Sequence, residues 1–141
     1  MLIPALFTIA CGNGSSLIGP SDQIPNVAGS YTGTTTITFP ELRYSASCAT
    51  TTSVTQTSGG RISIAPLQLR GGECGVMSIP LGDATIDSTG SLGQSSGTYS
   101  ESCGVYTWVA SGGFFGRNLQ GSFVYTSRTC YNMNVTINLT H

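Results

Sequence analysis

The sequence carries little charge of either sign. It has no lysine, five arginines and six acidic residues, which together give a formal net charge of −1. A protein that binds nucleic acid needs clustered cations to neutralise phosphates, whereas the arginines here stand far apart, at positions 43, 61, 70, 117 and 128. The composition therefore argues against nucleic acid as a partner.

Metal ligands and catalytic bases are also scarce. The chain has one histidine, His141, and its five cysteines include no Cys-x-x-Cys pair, so the spacing typical of a zinc site is missing. A nucleophile in acyl transfer needs a base beside it, and His141 is the only histidine that can supply one. From this scarcity we expect no metal, no cofactor and no enzymatic activity.

The chain lacks an apolar run of the ~20 residues that a membrane-spanning helix needs. Residues 2–10 are apolar over a length typical of the central part of an export signal. Their last three residues and the next one, Thr8-Ile9-Ala10-Cys11, resemble the bacterial lipobox, where the cysteine becomes the acylated N-terminus of the mature protein. The resemblance implies a signal peptide over residues 1–10, lipid on Cys11 and attachment to a lipid bilayer. An ordinary secretory signal is the alternative.

The residues after Cys11 extend this interpretation. In lipoproteins of two-membrane bacteria, a residue other than aspartate after the cysteine, here Gly12, implies sorting to the outer membrane of the cell envelope. Residues 11–28 are polar and contain glycines and prolines, so they predict a flexible tether with a reach of about 23 Å. We expect the folded domain to span residues 29–141.

The other four cysteines form two evenly spaced pairs. The spacing is 26 residues from Cys48 to Cys74 and 27 residues from Cys103 to Cys130. Four cysteines in a small domain favour disulfides and an oxidising compartment. Glycine-rich turns lie midway within each pair, and antiparallel strands bring residues equidistant from a turn together. This symmetry selects Cys48–Cys74 and Cys103–Cys130 among the three possible connectivities.

Hydroxyl-bearing residues dominate the rest of the composition. Serine and threonine supply 19 residues each, which suits the outer face of a β protein. Residues 131–140 alternate strictly between apolar and polar side chains, so one face of that segment is buried and the other is wet. Similar short segments between glycine turns, without a helical period, predict about eight antiparallel strands. We expect an all-β fold, namely an up-and-down barrel, with a β-sandwich as the alternative.

Particular strand boundaries follow from the turn residues. The pattern predicts a strand over residues 61–69 and a loop from Gly90 to Gly97. It then predicts one long strand over residues 98–110, which ends in a turn at Ser111-Gly112-Gly113. In the long strand, Tyr106 and Trp108 share one face.

The start of the first strand carries a family resemblance. Gly29-Ser30-Tyr31-Thr32-Gly33, with Tyr31 at the tryptophan position of the lipocalin Gly-x-Trp motif, resembles the opening of small lipocalin-like barrels among bacterial lipoproteins. Avidin-type barrels are also similar. The resemblance covers residues 29–141 and implies a barrel whose interior can hold a small molecule.

Aromatic residues gather around the second cysteine pair and supply the candidate binding residues. They are Tyr106, Trp108, Phe114, Phe115 and Tyr125, with Arg117 nearby. Core packing is the simplest explanation. The alternative makes Phe114 and Phe115 a rim over a barrel mouth, with Arg117 as a polar anchor. Because consecutive strand residues point to opposite faces, we expect at least one of the two phenylalanines to be exposed.

Two functions remain open at this point. A barrel with a cavity would bind an apolar or amphipathic small molecule, which is the leading hypothesis. A barrel filled by its own side chains would instead be a structural or protein-interaction module, similar to an inhibitor. Eight strands permit either arrangement, so the volume of the interior decides between the two functions.

The lipid anchor is directly testable. When the full-length chain is expressed in a bacterial host supplied with labelled palmitate, we expect the protein to be labelled, because the lipobox resemblance places the acyl chain on Cys11. The variant Cys11→Ser should carry no label, as measured by autoradiography of the purified protein. Equal labelling of both proteins would show that Cys11 is not the acylated residue.

Overall fold

The computed structural model describes residues 23–141, without the side chain of Gln94. The predicted signal peptide, the predicted lipidation site Cys11 and most of the predicted tether lie outside the described residues. No helix in the described part is long and apolar enough to cross a bilayer. This part of the chain is all-β, with ten strands: β1 (Gly29–Phe39), β2 (Tyr44–Gln56), β3 (Arg61–Ile64), β4 (Leu67–Arg70), β5 (Val76–Ile79), β6 (Gly82–Thr85), β7 (Ser91–Glu101), β8 (Gly104–Phe115), β9 (Asn118–Ser127) and β10 (Met133–Thr140).

The ten strands form one antiparallel sheet that does not close into a barrel. Its hydrogen-bonded path runs β5-β4-β2-β1-β10-β9-β8-β7, and β3 joins the last part of β2 to β6. Among the described residues, the chain just after β6 meets β7 at one isolated bridge, between Ile86 and Leu92. A register shift between Leu92 and Ser95 then redirects β7, as a β-bulge does. The predicted closure is therefore not observed, and β5, β6 and β7 each pair with a strand on one side only.

Four predicted elements have wrong boundaries. The predicted loop from Gly90 to Gly97 is instead the first part of β7. The chain reverses at Ser102-Cys103, inside the predicted strand over residues 98–110, and β8 runs on through Gly112-Gly113, where the turn is predicted. The predicted strand over residues 61–69 is divided into β3 and β4 by Ala65-Pro66, because proline cannot donate to a strand ladder.

Alternate residues of the strands point inward and build one hydrophobic core. In β10, Val135, Ile137 and Leu139 are buried and the residues between them are exposed, as the strict alternation predicts. The outer face of the central strands is polar and uncharged. There the Thr36 and Ser47 hydroxyls of neighbouring strands lie 3.0 Å apart. One buried face fixes the register, since a one-residue slip would turn every core side chain to water.

Residues before β1 close one end of the core. The main-chain N–H of Val27 donates to Gln56 Oε1 over 2.7 Å, and Gln56 Nε2 donates to the Pro25 carbonyl over 3.0 Å. Val27 is 4 % exposed, and its carbonyl accepts the Tyr31 hydroxyl over 2.8 Å. Packed structure therefore begins before Gly29, within the range predicted as a tether.

Both predicted cysteine pairs lie at disulfide distance. The Cα atoms are 6.0 Å apart for Cys48 and Cys74 and 5.5 Å apart for Cys103 and Cys130. Each bridge closes a loop whose constraint on the unfolded chain contributes about 3.5 kcal/mol in the chain-entropy model. Two such bridges indicate an oxidising, extracytoplasmic compartment.

Phe114 and Phe115, at the end of β8, point to opposite faces of the sheet and should contribute very differently to stability. Phe114 is 3 % exposed and Phe115 is 50 % exposed. Phe114→Ala should lower the free energy of unfolding by about 3–5 kcal/mol, because it leaves a cavity in the core. Phe115→Ala should lower it by less than about 0.5 kcal/mol, as at a surface position. Urea denaturation of both variants tests this, and equal losses would contradict the packing described here.

Candidate functional site

An apolar cleft opens where the sheet stops. It lies between the edge strands β5 and β7, at the end of the sheet that also carries the β7–β8 turn, and its volume is about 240 Å³. Most of its lining is apolar or aromatic, from Phe39, Met77, Ile79, Tyr99, Tyr106 and Met133. This volume is somewhat below the range of pockets that hold drug-sized ligands, so the cleft suits a smaller molecule.

Strand register explains how tyrosines gather there. Tyr99 of β7 lies opposite Tyr106 of β8, and Tyr125 of β9 lies opposite Met133 of β10. The rings of Tyr99 and Tyr106 are stacked with centroids 6.5 Å apart, and Tyr106 meets Tyr125 edge to face at 6.2 Å. The Tyr106 hydroxyl donates to the carbonyl of Tyr131 over 2.9 Å, which holds its ring in place.

Tyr125 carries the one unusual polar atom of the cleft. Its side chain is 1 % exposed, and its hydroxyl has no hydrogen-bond partner among the described residues. A buried polar group left unpaired costs about 1–3 kcal/mol. Burial, with a smaller contribution from Tyr99, raises the pKa of Tyr125 to about 12. The hydroxyl is therefore protonated at neutral pH, and in the described structure it is covered by its neighbours and left unpaired.

One carboxylate lies at the rim of this apolar site. Glu101 lines the cleft and accepts the hydroxyl proton of Tyr99 in a hydrogen bond. This hydrogen bond, followed by burial, raises the pKa of Tyr99. Burial raises the pKa of Tyr106 as well, with further contributions from the charges of Glu101 and Glu41. The rim is thus electronegative, and no arginine belongs to the lining that the structure describes.

The two cysteine bridges flank the cleft. Cys103 is in the β7–β8 turn and lines the cleft, and its partner Cys130 lies in the segment before β10. Cys48 is buried on β2, and its partner Cys74 ends the turn that leads into β5. Each bridge therefore ties a turn beside the cleft to another part of the domain.

The predicted binding residues do not form one site. Tyr106 and Tyr125 line the cleft. Trp108 lies on the same inward face of β8 but packs across Gly97 of the edge strand β7. A Cβ atom at Gly97 would come within 2.8 Å of the indole. Trp108 is thus partly buried against the core rather than part of the cleft lining described here.

Phe114, Phe115 and Arg117 lie at the opposite end of the sheet, roughly 30 Å along β8 from Tyr106. The Phe114 ring meets Tyr31 edge to face at 5.6 Å inside the core. Phe115 is exposed, as predicted for one of the two rings. Arg117 donates to the carbonyl of His141 over 3.1 Å. These residues therefore do not form a rim over the cleft.

Two other features carry less chemistry. A larger groove, of about 540 Å³, lies between β3, β6 and β7, and its described lining combines Thr and Ser residues, Arg61 and Asp83 with Ile62, Ala84 and Gly93 and contains no aromatic ring. Its polar groups face solvent, so none needs a ligand. Within residues 23–141, no three His, Cys, Asp or Glu side chains come together as a metal site would require.

Comparison with known proteins returns no relative. No protein-family model, curated protein or solved structure matches the chain. The site is therefore interpreted from its own geometry.

Sequence reasoning missed several residues of the cleft, namely Phe39, Met77, Tyr99, Glu101 and Met133. A turn at Ser102-Cys103 would have placed Tyr99 opposite Tyr106, since both are equidistant from it. The glycines at positions 112 and 113 were the stronger turn signal, and they drew the predicted reversal to the wrong place.

Removing the hydroxyl of Tyr125 and removing that of Tyr106 should change the free energy of unfolding in opposite directions. Tyr125→Phe should raise the free energy of unfolding by about 1 kcal/mol, because it removes a buried group without a partner. Tyr106→Phe should lower it by about 1 kcal/mol, because it removes the hydrogen bond to Tyr131. Urea denaturation of the ligand-free proteins measures both. A loss of stability in Tyr125→Phe would mean that its hydroxyl has a partner after all.

Proposed function

We propose that the domain binds a small apolar or amphipathic molecule in the cleft between β5 and β7. The observation that carries the proposal is the buried, unpaired hydroxyl of Tyr125 in an otherwise apolar site. An apolar pocket with few well-placed polar groups is the usual form of a small-molecule site. A ligand whose polar atom displaces the side chains covering this hydroxyl completes the hydrogen bonding of Tyr125, which the free protein leaves unmade.

We infer an open, lipocalin-like barrel rather than a sandwich, and two observations support it. The bridge between Ile86 and Leu92 brings the chain after β6 against β7, and a single cluster of buried residues fills the interior. The ligand accordingly binds at the open seam, because core side chains occupy the space that a closed barrel would leave for it.

The cellular setting follows from the cysteines. We propose an exported lipoprotein of a bacterial cell envelope, held at the outer membrane by lipid on Cys11. The cysteine pairs support export, since structural disulfides persist in oxidising compartments. The lipobox resemblance supports the anchor, and the labelling of Cys11 tests it.

A protein-interaction module with a filled interior is the second candidate. The half-exposed ring of Phe115 at the β8–β9 turn favours it, because an aromatic side chain at a loop tip suits a contact surface. This reading needs no ligand in the cleft.

Matched ligands test the leading proposal. The first is 4-methoxybenzyl alcohol, whose ether oxygen can accept a hydrogen bond from Tyr125. The second, 4-ethylbenzyl alcohol, has the same size without that oxygen. In NMR titrations we expect shifts at Tyr99, Tyr106 and Met133 with both ligands. Tyr125→Phe should weaken the methoxy compound about fivefold, the loss of about 1 kcal/mol expected for one hydrogen bond, and leave the ethyl compound unchanged.

The control is Tyr131→Phe, which removes a hydroxyl from an exposed tyrosine outside the described lining of the cleft. It should bind both alcohols as the original protein does. The absence of shifts with either alcohol, up to the solubility of the ligands, would overturn small-molecule binding and leave the filled module.

A further inference from the structure

The chemical class of the ligand can be narrowed from the rim of the cleft. Tyr99 and Tyr106 present stacked rings beside the opening, and Tyr125 meets Tyr106 edge to face. The face of an aromatic ring is electronegative and attracts cations within about 6 Å of its centre. Tyr106 and Tyr125 are buried, so the partly buried ring of Tyr99 is the one that a ligand can meet, and its face favours a positively charged group over a negatively charged one.

The carboxylates near the cleft also favour a positively charged ligand. Glu101 lines the rim and is held by the Tyr99 hydroxyl. Glu41 is held beside the same end of the sheet, where it accepts hydrogen bonds from the main-chain N–H and the Nδ2 of Asn132 over 3.2 and 2.5 Å. Burial, followed by the charges of both carboxylates, raises the pKa of Tyr106, in agreement with their position near its ring.

The rest of the described lining is mostly uncharged. Phe39, Met77 and Ile79 supply an apolar wall, and the Tyr125 hydroxyl is buried among the rings. A molecule that satisfies both regions has an apolar body, a hydrogen-bonding atom at its buried end and a cation at its exposed end. An anion at the rim would face Glu101 and the tyrosine rings without a compensating arginine in the described lining.

We propose that the cleft binds an amphipathic organic cation, with its apolar body against Phe39, Met77 and Ile79 and its ammonium group between Glu101 and the ring of Tyr99. This inference rests on the proposed small-molecule function and adds the charge of the ligand to it. Glu101 provides the charge selectivity, and Tyr125 provides the polar contact at the buried end.

Three ligands with one body isolate the charge. They are 4-methoxybenzyl alcohol, 4-methoxybenzyl trimethylammonium and 4-methoxybenzyl sulfonate, titrated by NMR and calorimetry at low ionic strength. We expect the ammonium compound to bind about tenfold more tightly than the alcohol, and the sulfonate to bind more weakly than the alcohol. Equal affinities for the ammonium compound and the alcohol would overturn the inference.

The variant Glu101→Gln removes the charge and keeps the size of the side chain. It should lower the affinity for the ammonium compound about fivefold or more and change the affinity for the alcohol by less than about twofold. The matched control is Glu73→Gln, since Glu73 accepts a hydrogen bond from Tyr44 and lies outside the described lining of the cleft. This control should bind all three ligands as the original protein does.

The outcomes separate this inference from the proposed function. If the alcohol binds but Glu101→Gln weakens the alcohol and the ammonium compound equally, Glu101 only supports Tyr99, and the charge preference is overturned while small-molecule binding stands. If none of the three ligands binds, both proposals fall. Urea denaturation of Glu101→Gln confirms that any loss of binding occurs in a folded protein.

Discussion

The pairing of β1 with β10 is the constraint on which the rest of the structure depends. Seven registered pairs, from Thr32 with Thr140 to Thr38 with Asn134, join the two strands, and β2 covers the other edge of β1. This pairing makes the first and last strands the middle of the sheet. It also closes a loop of nearly the whole domain. The chain entropy lost in closing that loop is offset only when both strands are packed into the core. The inward residues of these strands, such as Ile37 and Ile137, then form the centre of the core.

The cleft exists because the sheet ends before it closes. Among the described residues, β7 meets the chain that follows β6 at the single bridge between Ile86 and Leu92, and β5 is only four residues long. The side chains that would be covered in a closed barrel are thus left between two edges. The cysteine bridges hold those edges, because each connects a turn beside the cleft to a strand or segment in the body of the sheet.

The tyrosines of the cleft show how binding and stability compete. The hydroxyls of Tyr106 and Tyr99 have partners, a carbonyl and a carboxylate, whereas the Tyr125 hydroxyl has none among the described residues. Phenylalanine would fill the same space as Tyr125 without an unpaired polar atom. Binding sites often lower the stability of the free protein in this way, and ligand binding restores that stability.

The sequence by itself determined the class of the fold and the local direction of many side chains. Strict alternation in residues 131–140 and the absence of a helical period predict an all-β protein, and the symmetric spacing of the cysteines predicts which pairs come together. The same period places Tyr106 and Tyr125 inward and separates Phe114 from Phe115. These properties depend on the two-residue repeat of a strand, which a single segment already contains.

Only the tertiary structure decided where the sheet stops and which aromatic residues meet. Glycine supports positive φ at a turn and also close backbone contact within a strand, so Gly112 and Gly113 do not reveal that β8 runs through them. The turn at Ser102-Cys103 sets Tyr99 against Tyr106, and the sheet stays open beside the bridge between Ile86 and Leu92. Both are set by the register between strands, which depends on the packing of the whole core and not on the residues of any one strand.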